Sequence, residues 1–301
     1  MAPTEVDIPE AVTPSSIPFY KMTGSGNDFV FLDGRQTSPE DWPGERIRRV
    51  CARRTGVGAD GLVILTPDGP KTIRMAFFNA DGSRGAMCGN AALCSTRLAS
   101  RIGLVSGDEV ELVTDAGTFA TKCVGAASGH RAQLNLPDFA VPVSLAAIDP
   151  AQGERELGRS RGGGAWFTTV GVPHLVVLVD DLEAVDLDTR GAELRSHAAV
   201  GRDGANANFA SPAVSEGAGP ASGWSMRTYE RGVEGETLAC GTGAVAVAAT
   251  LAVLGEAAMP VEIRTRSGLV LTVDLRIHLS QVTDVWLGGE GRLVYRGEME
   301  K

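Results

Sequence analysis

The chain has 301 residues, 43% of them hydrophobic and 22% charged, so it is long enough for two domains that each bury a core. Its net charge of −9 at pH 7 argues against binding to nucleic acid phosphates or to anionic lipid. A small molecule is therefore the expected ligand.

Residues 1–16 are acidic and proline-rich and lack the basic and apolar regions of a secretory signal, so we expect a disordered tail there. The longest apolar run, residues 244–254, is much shorter than the roughly 20 residues of a membrane span. Five cysteines form no C-x-x-C pair, and an odd number is a poor disulfide framework. These features predict a cytoplasmic protein.

Short runs rich in β-branched and aromatic residues, separated by glycine and aspartate, predict strands. They span residues 28–33, 62–66, 73–78, 110–117 and 131–136. Helical patterns are few, with a glycine as a stop signal after the second and the last. They span residues 42–54, 90–101, 189–199 and 243–254. The sequence thus predicts a strand-rich α/β protein with few helices.

The second half of the chain repeats landmarks of the first half. Gly24–Asp33 matches Gly171–Asp180 in spacing, and a Cys-Gly pair precedes a predicted helix at both Cys88 and Cys240. An aromatic residue followed by a polar one stands ten residues before Cys88 and eleven before Cys240. Three landmarks in one order favour a duplicated unit over chance similarity. Two domains related by a pseudo-two-fold axis would bring both cysteines to one cleft.

Two facing thiols could invert a stereocentre. A cysteine at the first turn of a helix is close to unpaired backbone N–H groups and the positive end of the helix dipole, which should lower its pKa. The same N–H groups can bind a substrate carboxylate and stabilise charge that develops beside it. One thiol would remove the α-proton from one face and the other would deliver a proton to the opposite face.

Other roles for the cysteines remain open. Packing is the usual role of a free cysteine, and we assign it to Cys51, Cys94 and Cys123. Glycines follow Cys88 and Cys240 and let the backbone approach a ligand, which favours chemistry at those two. A reversible disulfide between them is a further alternative.

Six motifs, in one order over residues 18–298, resemble those of diaminopimelate epimerases. They are KMTGSGNDF, GVGADGL, FFNADGSRGAMCGN, GVPHLVV, GANANF and YERGVEGETLACGTG. The resemblance implies an isomerase of amino-acid biosynthesis that interconverts LL- and meso-diaminopimelate for lysine and peptidoglycan synthesis. It implies a pyridoxal-independent enzyme with no cofactor and no metal.

The resemblance also implies an α/β (α+β) fold of two similar domains related by pseudo-two-fold symmetry. Each would be a mainly antiparallel sheet wrapped around a central helix, with the active site in the cleft between them. With the proline-rich and glycine-rich segment 137–164 as the boundary, the domains would span residues 17–137 and 138–289. The last strand, about residues 290–298, would return to the first domain.

Site residues follow from the matching motifs. Cys88 and Cys240 would be the catalytic acid/base thiols, and His174 and Glu230 would tune them. Backbone N–H groups of four residues would hold the carboxylate at the reacting end: Gly89, Asn90, Gly241 and Thr242. A polar set would position the substrate and its distant amino-acid end: Asn27, Asn79, Asn206, Glu230 and Arg231. Val172 stands where many members have asparagine, which puts the group at the distal end in question.

Other function classes compete with this one. Gly56–Gly61 fits the letters of a dinucleotide fingerprint, but a helix precedes it and a strand follows it, the reverse of a Rossmann turn. The four histidines are far apart in the sequence, which argues against zinc, and no lysine has a convincing pyridoxal phosphate context. A racemase or epimerase of another amino acid and a noncatalytic amino-acid-binding protein stay open. A homodimer is likewise left open.

Overall fold

The computed structural model describes residues 16–125, 129–145, 164–213 and 223–300. The elements of the first half are β1 (Ser16–Gly24), β2 (Asn27–Asp33), α1 (Gly44–Cys51), β3 (Gly61–Pro67), β4 (Thr72–Asn79), β5 (Arg84–Gly85), α2 (Gly89–Arg101), β6 (Glu109–Thr114), β7 (Gly117–Val124) and β8 (Arg131–Leu136). Two short strands follow, β9 (Phe139–Ala140) and β10 (Val143–Leu145).

The second half follows the same order. Its elements are β11 (Ala165–Val170), β12 (Val172–Leu178), a helical turn (Leu187–Gly191) that continues into α3 (Ala192–Arg195), β13 (Asn206–Pro212), β14 (Trp224–Glu230), β15 (Gly235–Thr237), α4 (Gly241–Leu254), β16 (Val261–Arg264), β17 (Val270–His278), β18 (Gln281–Glu290) and β19 (Arg292–Glu300).

Strand pairing confirms the two similar domains. In the first half β1 and β2 are antiparallel, β2 and β3 parallel, β3 and β4 antiparallel, β4 and β6 parallel, and β6, β7 and β8 antiparallel in turn. The second half repeats this sequence of pairings from β11 to β18. Strands β8 and β18 pair with each other and join the two sheets. The sheets are mainly antiparallel, as the sequence predicts.

Each half also receives its outer strand from the other half. Strand β10 follows the first repeat but pairs with β11, where Val143 is opposite Phe167. Strand β19 follows the second repeat and pairs with β1, where Glu300 is opposite Ser16. Ser16, which the sequence assigns to the tail, is therefore the first residue of β1. Residues 1–15 of that tail lie outside the described residues.

The two long helices are the centres of the domains. Residues 90–99 of α2 are all buried, and so are residues 243–251 of α4. The α4 sequence, GTGAVAVAATLAVL, has no charged residue, which is the composition of a helix that is surrounded by protein on all sides. The helices approach each other directly. Packing both into one core fixes the relative position of their N-termini.

Several predicted elements differ in their ends. Helix α1 is shorter than predicted, because Pro43 directly precedes its first residue and Ala52 becomes extended after its last. The strand predicted for residues 110–117 ends at Thr114, and a turn leads into β7. Most of the predicted boundary segment, residues 146–163, lies outside the described residues. Among the residues that are described, no helix has the length and apolar character needed to cross a membrane.

Candidate active site

Cys88 and Cys240 occupy equivalent positions, immediately before α2 and α4. Both have an extended backbone, with φ −142° and ψ 119° at Cys88 and φ −127° and ψ 108° at Cys240. The N–H groups of Asn90 and Ala91 lie near the Cys88 thiol. The N–H group of Gly243 lies near the Cys240 thiol, and the Thr242 hydroxyl lies 3.7 Å from Cys240 Sγ. Each sulfur is thus held at the N-terminus of a buried helix.

The two helix N-termini converge on one side chain, Leu287 of β18. A Cβ added at Gly89 would lie 3.8 Å from Cδ2 of Leu287, and one added at Gly241 would lie 2.9 Å from the same atom. Charge on Cys88 raises the pKa of Cys240, so the two thiols are within electrostatic reach of each other. Two Cys-Gly pairs separated by half the chain are thereby brought to one location.

The pKa values of both thiols move opposite to the expectation from the sequence. Burial is the largest cause that raises the pKa of Cys88, and burial together with the charge of Glu230 raises the pKa of Cys240 to about 12. The charge of Glu230 also contributes to the rise at Cys88. The helix N–H groups oppose this shift at both thiols, but they do not outweigh the loss of water. The helix N-termini act in the predicted direction, but the prediction that both thiols have lowered pKa values is wrong.

The charge of Glu230 raises the pKa of both thiols more than any other charged residue does. It ends β14 and is half-buried, and burial raises its own pKa, with the Thr237 hydroxyl acting in the opposite direction. Its neighbour Arg231 is also half-buried, and its guanidinium makes no hydrogen bond or ion pair within the described part of the chain. A carboxyl group and a guanidinium group thus belong to consecutive residues at the edge of the site.

In the first domain, a chain of hydrogen bonds connects two predicted residues, Asn90 and Asn27, to Asp60, which the sequence did not predict. Asn90 donates from Nδ2 to Oδ1 of Asn27 at 2.7 Å, and Asn27 donates to Oδ2 of Asp60 at 3.0 Å. Asp60 is held in turn by Arg53, and its charge raises the pKa of Cys88. Asp60 follows α1 and precedes β3, so the glycine-rich segment around it has the helix-to-strand order that excludes a Rossmann turn.

On the second domain, His174, Asn206 and Arg231 lie together. His174 on β12 is opposite Asn206 in the parallel pairing with β13, and both are buried. The Arg231 backbone N–H donates to Oδ1 of Asn206 at 2.8 Å. Burial, together with the charge of Arg231, lowers the pKa of His174 to about 3. The imidazole is therefore neutral at physiological pH.

Several buried polar atoms of the described residues have no hydrogen-bond partner, and two of them belong to predicted site residues. They are Oδ1 of Asn90 and Nε2 of His174. A buried donor or acceptor without a partner is costly, so such atoms commonly pair with a bound ligand or water. One of these atoms belongs to each domain.

The structure links most of the predicted residues but not all of them. Asn79 is exposed at the end of β4, and its amide donates to the Ser83 hydroxyl at 3.0 Å instead of to another predicted residue. The sequence prediction missed three residues: Asp60, Leu287 and Asn208, whose Nδ2 lies 3.2 Å from Nδ1 of His174. Asp60 and Asn208 lie in the quoted motifs GVGADGL and GANANF, whereas no motif indicates Leu287. The described residues contain no group of three or more His, Cys, Asp or Glu that could hold a metal ion.

A family model described as diaminopimelate epimerase matches residues 19–131 and 166–282, one segment in each half of the chain. The chain belongs to the diaminopimelate epimerase family. A diaminopimelate epimerase of Gemmatimonas aurantiaca is 42% identical and covers 93% of this chain and 98% of its own. A diaminopimelate epimerase of Aquifex aeolicus is 39% identical and covers 94% of this chain and 98% of its own.

Solved structures share the fold of this family at low sequence identity. A phenazine biosynthesis protein of the PhzF family from Bacillus anthracis has a TM-score of 0.69 at 14% identity, and covers 95% of this chain and 99% of its own. A hydroxyproline epimerase from Agrobacterium vitis has a TM-score of 0.57 at 16% identity, and covers 94% of this chain and 91% of its own. These likenesses confirm the two-domain fold and nothing finer.

Proposed function

We propose that this protein is an amino-acid epimerase that interconverts LL- and meso-diaminopimelate with two cysteines and no cofactor. The observation that carries the proposal is the convergence of Gly89 and Gly241, the residues after the two cysteines, on one methyl group of Leu287. Membership of the diaminopimelate epimerase family supports the choice of substrate.

In the proposed reaction, one sulfur is a thiolate and the other a thiol when the substrate is bound. The thiolate takes the proton from the α-carbon, and the electron pair of that C–H bond stays on the substrate. The second thiol donates its proton to the opposite face and becomes the thiolate. The inverted product leaves the two sulfurs with exchanged protonation states, ready for the reverse substrate. Positioned acid/base groups of this kind contribute roughly 10²- to 10⁴-fold to a rate.

Ligand binding must supply a thiolate, because the raised pKa values keep both thiols protonated in the free protein. The substrate's α-ammonium group brings positive charge to the site, and an opposite charge within a few ångströms favours the thiolate. The N–H groups at the start of α2 and α4 would hold the α-carboxylate and stabilise the charge that develops beside it. We assign this to Gly89, Asn90, Gly241 and Thr242.

We further propose that the polar residues around the thiols bind the distant amino-acid end of the substrate. Arg231 suits the distal carboxylate, since its guanidinium has no other partner in the described chain, and Glu230 suits an ammonium group. Asn27, Asn79 and Asn206 complete this set, and His174 and Glu230 tune the thiols. Val172, at the start of β12, has no side-chain amide, so recognition of the distal end would depend on the remaining residues.

The deciding experiment is incubation of the purified protein with LL-diaminopimelate in heavy water. We expect meso-diaminopimelate to form with one deuterium at the inverted carbon, since a solvent-exchanged thiol delivers the new proton. A panel of other amino acids, run in parallel, tests the rival epimerase or racemase, which would turn over one of them faster. Binding of diaminopimelate without inversion or isotope uptake would contradict the proposal and favour a binding protein.

We also propose a cytoplasmic homodimer. Five free cysteines suit a reducing compartment, and the outer strand β19 exposes Val294 and Tyr295. Sedimentation of the parent and of Tyr295→Ser tests the dimer. The parent should sediment at twice the chain mass, and the variant should dissociate at higher protein concentrations than the parent does. A parent that sediments as a monomer would contradict it.

A further inference from the structure

Asn208 of β13 is a fully buried amide whose orientation its neighbours determine. Its Nδ2 donates to the carbonyl oxygen of Leu175 at 2.9 Å and lies 3.3 Å from the carbonyl oxygen of Asn206. Its Oδ1 accepts a hydrogen bond from the Thr228 hydroxyl at 2.9 Å. Because backbone carbonyl oxygens only accept, these contacts establish which end of the amide is nitrogen.

The same Nδ2 atom lies 3.2 Å from Nδ1 of His174. An amide nitrogen only donates, and we assign its two hydrogens to its two shortest contacts, the Leu175 carbonyl oxygen and Nδ1 of His174. Nδ1 then presents its lone pair, and the proton of the neutral ring is on Nε2. The ring's neighbours on the adjacent strands, Thr168 of β11 and Asn206 of β13, carry no charge, and Arg231 is the charged group that acts on it. Among the described residues, none of these neighbours favours the opposite tautomer.

The proton on Nε2 has no acceptor within the described residues, and the atom is buried. An N–H donor in this state is unfavourable in the empty site and becomes favourable when a ligand offers an acceptor. In the cleft, the acceptors available on the proposed substrate are carboxylate oxygens. His174 is therefore equipped to donate a hydrogen bond to the substrate but has no lone pair to accept a proton from it.

We propose that Asn208 is a positioning residue that holds His174 in its Nε2–H tautomer, so that His174 acts as a fixed hydrogen-bond donor to the substrate and not as a base. The donor role rests on the proposed function of the same cleft. Asn208 also packs against the turn that holds Cys240. A Cβ at Gly243 would overlap Oδ1 of Asn208 and would lie 3.2 Å from Cys240 Sγ.

The test combines nitrogen NMR of His174 with kinetics of Asn208→Asp, a change that keeps the shape and removes the donor. In the parent, the ¹⁵N spectrum should show a protonated Nε2 and an unprotonated Nδ1. In Asn208→Asp the carboxylate accepts from Nδ1, so the ring should protonate there, and an imidazolium ionisation should enter the pH profile of kcat/KM. We expect kcat/KM to fall roughly 10- to 100-fold, the usual cost of removing a partner that orients a functional histidine.

Two variants separate this role from a general loss of structure. Thr228→Val removes the hydroxyl from the other end of the amide and should leave the Nε2–H tautomer in place. Asn135→Asp changes an asparagine whose side chain donates to the carbonyl oxygen of Val285, and should keep parent-like kinetics.

A parent spectrum with a protonated Nδ1 would overturn the proposal without any variant. So would a folded Asn208→Asp protein with an unchanged tautomer and unchanged kcat/KM. A parent that shows the Nε2–H tautomer but does not epimerise diaminopimelate would instead contradict the proposed function and leave the tautomer assignment standing.

Discussion

Leu287 touches the first residue of α4 so closely that Gly241 has no room for a side chain. A Cβ at Gly241 would lie 2.9 Å from Cδ2 of Leu287, a distance that forces one of them to move. At Gly89, the equivalent residue of α2, the same methyl group would be at an ordinary contact distance of 3.8 Å. The pseudo-symmetric pair of glycines is thus asymmetric in packing, which allows packing and chemistry to be separated by mutation.

We expect Gly241→Ala to lose most epimerase activity, because the displaced helix start carries Cys240 with it. Overpacking of this kind typically costs about 1–3 kcal/mol of unfolding free energy. Gly89→Ala is the matched control and should be destabilised less. Urea unfolding and isotope-coupled turnover measure both effects. In the double variant Gly241→Ala, Leu287→Ala, the loss of unfolding free energy should be smaller than the sum of the two single losses, and strictly additive losses would show that the contact is not the cause.

Replacing either thiol tests the two-base reaction. We expect Cys88→Ala and Cys240→Ala each to lower kcat by roughly 10²- to 10⁴-fold or more, since each removes the proton carrier of one face. Deuterium uptake coupled to inversion should disappear in both variants. Cys123→Ala, which removes a buried thiol of β7, is the control and should keep near-parent turnover. Near-parent activity in both single variants of the helix-capping cysteines would refute the mechanism.

The repeat could be predicted from the sequence, but its register could not. The alignment pairs Gly24 with Gly171, whereas the strand pairings make Val30 equivalent to Leu175 and Gly26 equivalent to Gly171. The cause is the hairpin turn, which has Ser25 and Gly26 in the first half and Gly171 alone in the second. Both Gly26 and Gly171 have positive φ, and a turn that requires glycine looks alike in either alignment.

The parts of the candidate site that lie in local sequence motifs could be predicted from the sequence. Cys-Gly before a small-residue helix indicates both thiols, because glycine and the helix N-terminus are local features. The packing of Leu287 depends on contacts of β18 with both helices, a tertiary fact with no local signal. The sign of the thiol pKa shifts also depends on burial, which the sequence does not reveal. Local features predicted the N–H groups, and the tertiary structure decided that desolvation outweighs them.

The raised thiol pKa values predict slow alkylation in the free protein. At pH 7 to 8 we expect iodoacetamide to modify Cys88 and Cys240 far more slowly than a free thiol of pKa about 8.5, with rates that rise up to the alkaline limit of stability. Because the Glu230 charge raises both pKa values, Glu230→Gln should shift both profiles to lower pH.

Mass spectrometry resolves the rate at each cysteine. The Glu256→Gln variant removes one exposed negative charge beyond the opposite end of α4 from Cys240, and it serves as the control. Profiles of Glu230→Gln and Glu256→Gln that coincide would contradict the assigned cause, and fast modification of the parent at neutral pH would contradict the shift itself.

The neutral, buried His174 predicts a loss of stability in acid. Its pKa is about 3 in the folded protein, whereas an unfolded histidine has a pKa of about 6.5. Above pH 6.5 both states are neutral and the residue contributes no pH dependence. Below it the unfolded state binds a proton that the folded state does not, so the free energy of unfolding falls with decreasing pH until about pH 3. One such group contributes a slope of at most about 1.4 kcal/mol per pH unit.

Urea titrations from pH 7 to pH 4 would measure this slope in the parent and in His174→Gln. Carboxylates contribute equally to both proteins, so the difference between the two curves isolates the histidine. We expect the variant curve to be shallower below pH 6.5, with little change in the pH dependence above it. The exposed His278→Gln variant is the matched control and should follow the parent's slope. Parallel curves for the parent and His174→Gln would mean that the imidazole takes up a proton in the folded state, in conflict with its burial beside Arg231.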